Sequence, residues 1–275
     1  MPPFIGLSLH DNEIRFVKVK VAQRQRVVER TGIVKIPPGL FFDGKIQDAQ
    51  GLADALKNMV DQAQLKACDA AIALPVSQVI HQSIQVDESL DELECELEIA
   101  ENLSRYLPGT EGDLSYDYIR THGSHDVMLV AARAQQIDDY LTVVQQSKLT
   151  ITAVDVDIYA LARAVISLGI AEQLTAVIDF DTASLQVIVL QRGKIIFHHR
   201  LIFSASNADY ILQPLHELFS QMPKVEKVLL AGNIFLPIER LQKEIGMSAE
   251  IIAQCDHRCL VAFGLAMKGD QYARN

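Results

Sequence analysis

Phe4-Ile5-Gly6-Leu7-Ser8-Leu9 is an apolar run closed by the polar stretch His10-Asp11-Asn12-Glu13, and residues 14–21 then return as a second apolar-rich run. This reads as strand, tight turn, strand. A third strand is predicted over 27–36, stopped by Pro37-Pro38-Gly39, because proline cannot donate to a ladder. Asp43-Gly44 marks a turn, and from Asp48 the residues Leu52, Leu56, Met59, Val60 and Ala63 recur at helical spacing. The same order returns later in the chain. Residues 176–180 form a strand, Asp181-Thr182-Ala183 turns, 185–190 runs back, Gln191-Arg192-Gly193-Lys194 turns again and 195–203 runs out. A helix over 207–221 follows, with Ile211, Leu215, Leu218 and Phe219 inward. Two copies of one α/β unit predict two similar lobes facing across a crevice, with any ligand held near the two first turns.

Between the copies, residues 70–74 form a short apolar strand stopped by Pro75, and 79–86 alternate as a strand with Ile80, Ile84 and Val86 on one side. Leu90, Leu93, Leu97, Ala100, Leu103 and Leu107 predict one helix with these residues inward, capped by Asp87 or Ser89. Its six acids, Asp91, Glu92, Glu94, Glu96, Glu98 and Glu101, then fill a solvated face. Pro108-Gly109 ends it. Strands are expected over 115–120, 127–132 and 151–156, and helices over 135–146 (Ile137, Tyr140, Leu141 and Val144 inward) and around Ile158, Leu161, Ala162 and Val165. Beyond the second copy come a strand over 225–231, a helix over 236–245, a short strand over 249–252 and an apolar closing helix over 260–267.

The chain has 275 residues, enough for two lobes, and a net charge of −10 with a sequence pI near 5.2. An acidic chain is poorly suited to tracking phosphates, so nucleic acid is not an expected partner. The densest basic cluster, Lys18, Lys20, Arg24 and Arg26, reads as the solvated face of a hairpin. No apolar run is long enough to span a membrane. Met1-Pro2-Pro3-Phe4 lacks the features of a signal peptide, and the polar segment 268–275 is too short for an amphipathic anchor, so a cytoplasmic location is expected, with membrane contact only through a partner. Cys68, Cys95, Cys255 and Cys259 read as reduced thiols, and Cys255-Asp256-His257-Arg258-Cys259 has no fourth ligand with standard zinc spacing.

A turn between strands binds phosphate when small residues let backbone N–H groups approach it, and a neighbouring aspartate can hold Mg²⁺. Here the first turn is Ser8-Leu9-His10-Asp11-Asn12 and the second Asp179-Phe180-Asp181-Thr182-Ala183, and neither contains glycine. His10 adds a ring, and Asp179 and Asp181 set negative charge against a triphosphate. No nucleophile elbow or P-loop occurs. His198-His199 falls on a predicted strand, where alternation points the rings apart and disfavours a metal pair. His81, Ser83 and Asp87 are close in sequence, which alone supports no triad.

Several segments together resemble a known family. They are Ile5-Gly6-Leu7-Ser8-Leu9, Ile36-Pro37-Pro38-Gly39 followed by Asp43-Gly44-Lys45-Ile46-Gln47-Asp48, Ala71-Ile72-Ala73-Leu74-Pro75, and Tyr106-Leu107-Pro108 with Ser115-Tyr116-Asp117-Tyr118. Residues 127–133, Val154-Asp155-Val156, 160–164 and 261–266 continue the likeness. The chain resembles the type IV pilus assembly protein PilM with its MSHA-pilus counterpart MshI, and more distantly the division protein FtsA. The resemblance implies an α/β, actin-like (ribonuclease H-like) two-lobed fold with an inserted α+β subdomain. It implies a first lobe from residues 1–65, 149–173 and 256–270, an insert over 66–148 and a second lobe over 174–255. The short gap between the second strand unit and Val225 implies a reduced second lobe whose small capping subdomain is largely absent.

The resemblance also implies a cytoplasmic scaffold that grips the N-terminal tail of a PilN-like single-pass inner-membrane protein, with self-association as a further property. ATP and Mg²⁺ are implied as family cofactors. Here, however, the first phosphate motif, D-I-G before a lysine in the family, is replaced by Ser8, Leu9, His10 and Arg15. The second is Asp179-Phe180-Asp181, and the adenosine motif G-G-G is Gly232-Asn233-Ile234. Ser8, His10, Asp179, Asp181 and Gly232 are thus the equivalents of a degenerate nucleotide site, with no catalytic residue, no metal ligand and no bound cofactor expected. The alternatives are an actin-like ATPase of pilus assembly, a type II secretion adaptor like GspL, and an FtsA-like division protein.

Overall fold

The computed structural model describes residues 3–22, 25–65, 68–110, 112–120, 125–171, 174–203 and 208–272. Strands β1 (Phe4–His10), β2 (Glu13–Ala22) and β3 (Gln25–Lys35) form the expected antiparallel meander. After a two-stranded clip, β4 (Phe41–Phe42) and β5 (Lys45–Ile46), helix α1 (Ala49–Gln62) starts at Asp48, whose carboxylate accepts the Gly51 N–H as an N-cap. Strand β6 (Asp69–Leu74) then pairs parallel to β1.

Pro75 leads into an insert that builds its own sheet. Strand β7 (Ile80–Gln85), helices α2 (Glu92–Glu101) and α3 (Leu103–Tyr106), and strands β8 (Leu114–Arg120) and β9 (Asp126–Arg133) form an antiparallel sheet in the order β7-β9-β8, with its own apolar cluster around Ile84, Cys95, Ile99, Val127 and Leu129. Helix α4 (Ala134–Gln145) and strand β10 (Thr150–Val156) return to the first sheet, whose order is β10-β6-β1-β2-β3. After α5 (Asp157–Ser167) come β11 (Thr175–Phe180), β12 (Ser184–Gln191), β13 (Lys194–Ile202), α6 (Leu212–Gln221), β14 (Lys227–Gly232), α7 (Ile238–Ile245), β15 (Ala249–Ile251) and α8 (Leu260–Tyr272). The second sheet runs β13-β12-β11-β14-β15, repeating the meander and its parallel neighbour.

Helices α5 and α8 lie between the two sheets, and one apolar cluster runs from Val17 and Ala71 through Ala160 and Ala262 to Val177 and Leu229. Helices α1 and α4 cover the outer face of the first sheet, and α6 and α7 that of the second. Among the described residues, a 3₁₀ turn over Ala208–Ile211 and helix α6 lie between β13 and β14.

The insert departs from the sequence expectation. The segment expected as one helix over 90–107 breaks at Asn102 into α2 and α3. Asp91, not Asp87 or Ser89, is the N-cap: its carboxylate accepts the Glu94 N–H while Glu94 accepts the Asp91 N–H. Asp87 instead accepts from Ser89. This cap sets the helix rotation, and Tyr118 and Arg120 of β8 fix it by bonding to Glu92 and to the Leu90 carbonyl. Cys95 and Ile99 therefore face the sheet, while Leu93 and Leu97 are 65% and 53% exposed, the reverse of the predicted orientation. Ile80, the first residue of an edge strand, is 36% exposed rather than inward. The second-copy helix begins as a 3₁₀ turn over Ala208–Ile211, and Asn207 lies outside the described residues.

Lys18 and Lys20 both bridge Glu29, and Arg26 lies over the Phe4 ring and donates to the Ala266 carbonyl; Arg24 lies outside the described residues. The closing helix continues to Tyr272, and residues 273–275 also lie outside. Among the described residues no group of three or more His, Cys, Asp or Glu is arranged to hold a metal ion, and no helix is long and apolar enough to cross a membrane.

Candidate functional site

The C-terminal ends of the central strands β1 and β11 face each other, so that His10 and Asp181, at or just past those ends, come into contact. Between them lies a cleft of about 290 Å³. Ser8, His10, Asp179 and Asp181 all line it, as their turn positions predict. Asp11, Asp43, Asp157 and Arg200 join them, so five aspartates surround the space.

The turns are tied to each other. His10 Nδ1 is 2.9 Å from Asp181 Oδ2, across the two lobes, and its Nε2 is 2.9 Å from Ser8 Oγ. With Nδ1 donating to Asp181, Nε2 accepts the Ser8 hydroxyl proton. Further contacts span the lobes, among them Arg200 Nη2 donating to Asp43 Oδ1 at 2.6 Å and Asn233 Nδ2 donating to Glu13 Oε1 at 3.2 Å. Behind His10, Arg15 is 2% exposed and donates through Nε to Glu13 Oε1 at 2.7 Å and through Nη1 to the Arg258 carbonyl at 2.9 Å. Its Nη2 has no hydrogen-bond partner among the described residues and sits 3.8 Å from Asp181 Oδ1.

Gly232 stands at the end of β14, where a Cβ would lie 2.0 Å from the Phe180 carbonyl oxygen and 2.6 Å from Asp179 Oδ1. Its φ is +77°. Backbone packing against β11 alone therefore requires glycine here.

The carboxylates divide into two kinds. Burial would raise Asp181, but the contact and hydrogen bond with His10, with the nearby Arg15 guanidinium, hold it well below the usual carboxylate range. Burial raises Asp179 and Asp11. Asp157 is pushed up to about 7 by burial, against two backbone N–H groups, those of Val76 and Ile158, which donate to its Oδ1 at 3.0 and 2.7 Å; neighbouring Asp179 adds to the rise and Arg200 opposes it.

A carboxyl raised in the folded state binds more protons there than in the unfolded chain, so its contribution to stability falls as pH rises between the ordinary aspartate value and about 7. Asp157→Asn keeps the Oδ1 acceptor and removes the ionisation. It is expected to raise stability at pH 8 by about 1–3 kcal/mol and to change little at pH 4, as read by denaturant melts. An equal effect at both pH values would refute the assignment.

Sequence reasoning did not assign four of the charged lining residues to the site. Asp157 had a signal, an aspartate directly after a buried strand at a helix start, and Asp43 had the Asp-Gly turn. Asp11 stood within the first turn itself, whereas Arg200 had none, since it reaches the cleft only through the β12–β13 pairing.

Two like sheets sandwiching two helices, with a cleft at the paired first turns, define an actin-like protein. The chain belongs to the type IV pilus assembly protein PilM family, whose model matches residues 6–208. Among solved structures it is similar to the PilM-PilN type IV pilus biogenesis complex, with a TM-score of 0.79 at 18% identity over 96% of this chain and 98% of that one. It is also similar to the cytoplasmic domain of EpsL, an inner-membrane component of the type II secretion system of Vibrio cholerae, with a TM-score of 0.57 at 12% identity over 98% and 95%. A third similar structure is MreB 5 of Spiroplasma citri bound to AMPPNP, with a TM-score of 0.55 at 11% identity over 100% and 98%. At these identities the structural likeness speaks for the fold.

Proposed function

We propose that this chain is a non-catalytic scaffold of a type IV pilus assembly complex, whose lobes are tied by their own side chains in place of a nucleotide. The observation that carries this reading is the His10–Asp181 bridge, which spans the two turns where an actin-like cleft would cradle phosphates. ATP with Mg²⁺ fits these residues poorly. The His10 ring stands in the first turn, Asp181 is held ionised facing it, and a triphosphate would enter among five aspartates, with the Arg200 of the lining already paired to Asp43. Coulomb repulsion at about 4 Å is worth several kcal/mol per pair at a protein surface, so each uncompensated carboxylate weighs heavily against binding.

The expected result is that millimolar Mg-ATP leaves the melting temperature unchanged, since a ligand that binds only the folded state must raise it. A concentration-dependent rise would overturn the reading and favour a nucleotide-binding member of the fold.

The partner we infer is the N-terminal cytoplasmic tail of a PilN-like single-pass inner-membrane protein, which would bring the chain to the membrane. Family membership and the likeness to a PilM-PilN complex support it. A fluorescent peptide copying the N-terminal tail of a PilN-like protein is expected to bind with an affinity on the order of micromolar. No anisotropy change at several hundred micromolar would sink the partner, whatever the ATP result.

A further inference from the structure

Two imidazoles meet where the insert leans on the second lobe. His81 stands on β7, an edge strand of the insert's sheet, and His198 on β13, an edge strand of the second sheet. In each ring Nε2 is sealed from solvent and has no hydrogen-bond partner among the described residues. The His81 ring packs edge-on against Tyr159 of α5, with centroids 5.7 Å apart, and His198 lies within electrostatic reach of His81. Around them Val79 and Val130 on the insert's side, Tyr159 of α5 and Ile195 of β13 pack against the apolar cluster between the sheets.

A neutral imidazole tolerates such a place at the cost of one unsatisfied nitrogen. A protonated one does not: both of its nitrogens donate, Nε2–H finds no acceptor there, and a net charge enters an apolar contact. No carboxylate acts on either ring. Strands β7 and β12 carry no charged residue, and β9 carries charge only at its ends, Asp126 and Arg133, with Val130 opposite His81. On β13 the groups acting on His198 are His199 and Arg200, and both oppose a proton. The nearby acids are engaged elsewhere: Asp43 with Arg200, Asp155 with Arg163 and Lys268, and Asp157 with the Val76 and Ile158 N–H groups. Burial holds both imidazoles below their ordinary range, His198 at about 4 with His81, His199 and Arg200 adding to its fall.

We propose that His81 and His198 form an acid-sensitive clasp: with both rings neutral the insert stays docked on the second lobe, and protonation releases it. The His10–Asp181, Arg200–Asp43 and Asn233–Glu13 contacts join the first lobe to the second, so the lobes stay together while the insert moves. The released state exposes the rings and binds more protons. The docked state is therefore favoured above the ordinary imidazole value and loses ground as pH falls from 6.5 towards 4. His198 alone is expected to raise the ratio of released to docked molecules about thirtyfold between pH 7.5 and pH 5.

Spin-label distances on the full chain test this. In a Cys255→Ser background, whose other cysteines are buried, labels at Glu96→Cys on α2 and Lys224→Cys beyond α6 read the insert against the second lobe. Labels at Lys57→Cys on α1 and Lys224→Cys read lobe against lobe; all three labelled positions are exposed. The first distance is expected to lengthen and broaden at pH 5 and to recover at pH 7.5, while the second stays fixed. His81→Gln with His198→Gln is expected to abolish the change. A proton NMR titration of the wild-type histidine rings reads the same groups without substitution, and His81 and His198 are expected to titrate below the ordinary value of about 6.5. An unchanged first distance at pH 5, equal movement of both distances, a change that persists in the doubly substituted chain, or rings that titrate at the ordinary value would each overturn the proposal.

Discussion

Gly264→Ala is expected to destabilise the protein by about 3 kcal/mol or more, an overpacking loss at the upper end of the usual range. A Cβ at this position would lie 1.8 Å from the Ala160 carbonyl oxygen and 2.6 Å from its carbon, so α5 and α8 touch backbone to backbone. The obstacle is main chain, not the tip of a flexible side chain, and relief requires one helix to move. Gly6 tells the same story on the other side of α8, where a Cβ would meet the Ala262 oxygen at 1.8 Å. These two helices form the layer shared by both sheets, and a shift there reaches both lobes. The sign is diagnostic. In an exposed helix, glycine to alanine stabilises by about 1 kcal/mol through backbone entropy. Urea melts should show a lower midpoint with little change in slope, and a loss below about 1 kcal/mol would mean that the helices separate easily.

Glu13→Gln is expected to cost about 3–5 kcal/mol at neutral pH, because it leaves Arg15 buried without its counter-charge. Glu13 and Arg15 are each 2% exposed. Burial alone would raise the Glu13 carboxyl, but Lys35, Arg15 and Asn233 outweigh it and hold the group at about 2. A depressed carboxyl adds stability above its ordinary value and loses it as pH falls through the folded one, so the difference between wild type and variant should shrink towards pH 2. Removing both charges with Glu13→Gln and Arg15→Met should recover most of the loss, since the pair's desolvation disappears with it. Lys35, which is largely exposed, should matter little: Lys35→Ala is expected to cost about 0–1 kcal/mol. If the double variant were as unstable as Glu13→Gln alone, the uncompensated charge would not be the cause.

The elements of both sheets were legible because their signals are local. Period-two runs bounded by turn residues locate β1, β2, β11 and β12 within a residue or two, and Pro37-Pro38-Gly39 and Pro75 stop strands wherever they occur. The repeat of strand, turn, strand, turn, strand, helix pointed to two like lobes before any contact was known. Within the cleft, Ser8, His10, Asp179 and Asp181 were legible from their place at the two first turns. Helix α2 was legible as a helix but not in its orientation. Leu93-Leu97-Ala100 and Cys95-Ile99 are both helically spaced, and hydrophobicity favoured the leucines; the capping box and the bonds from β8 chose the other face.

The sequence by itself therefore determined the strand units, their repetition and the lack of glycine in the two first turns, since each is written in neighbouring residues. Only the tertiary structure decided that His10 reaches Asp181, that Arg200 meets Asp43 and Asn233 meets Glu13, and that Leu93 and Leu97 face outward. Those partners lie 171, 157 and 220 residues apart, and no local pattern encodes which distant side chain will face a given one once the sheets have packed on their shared helices.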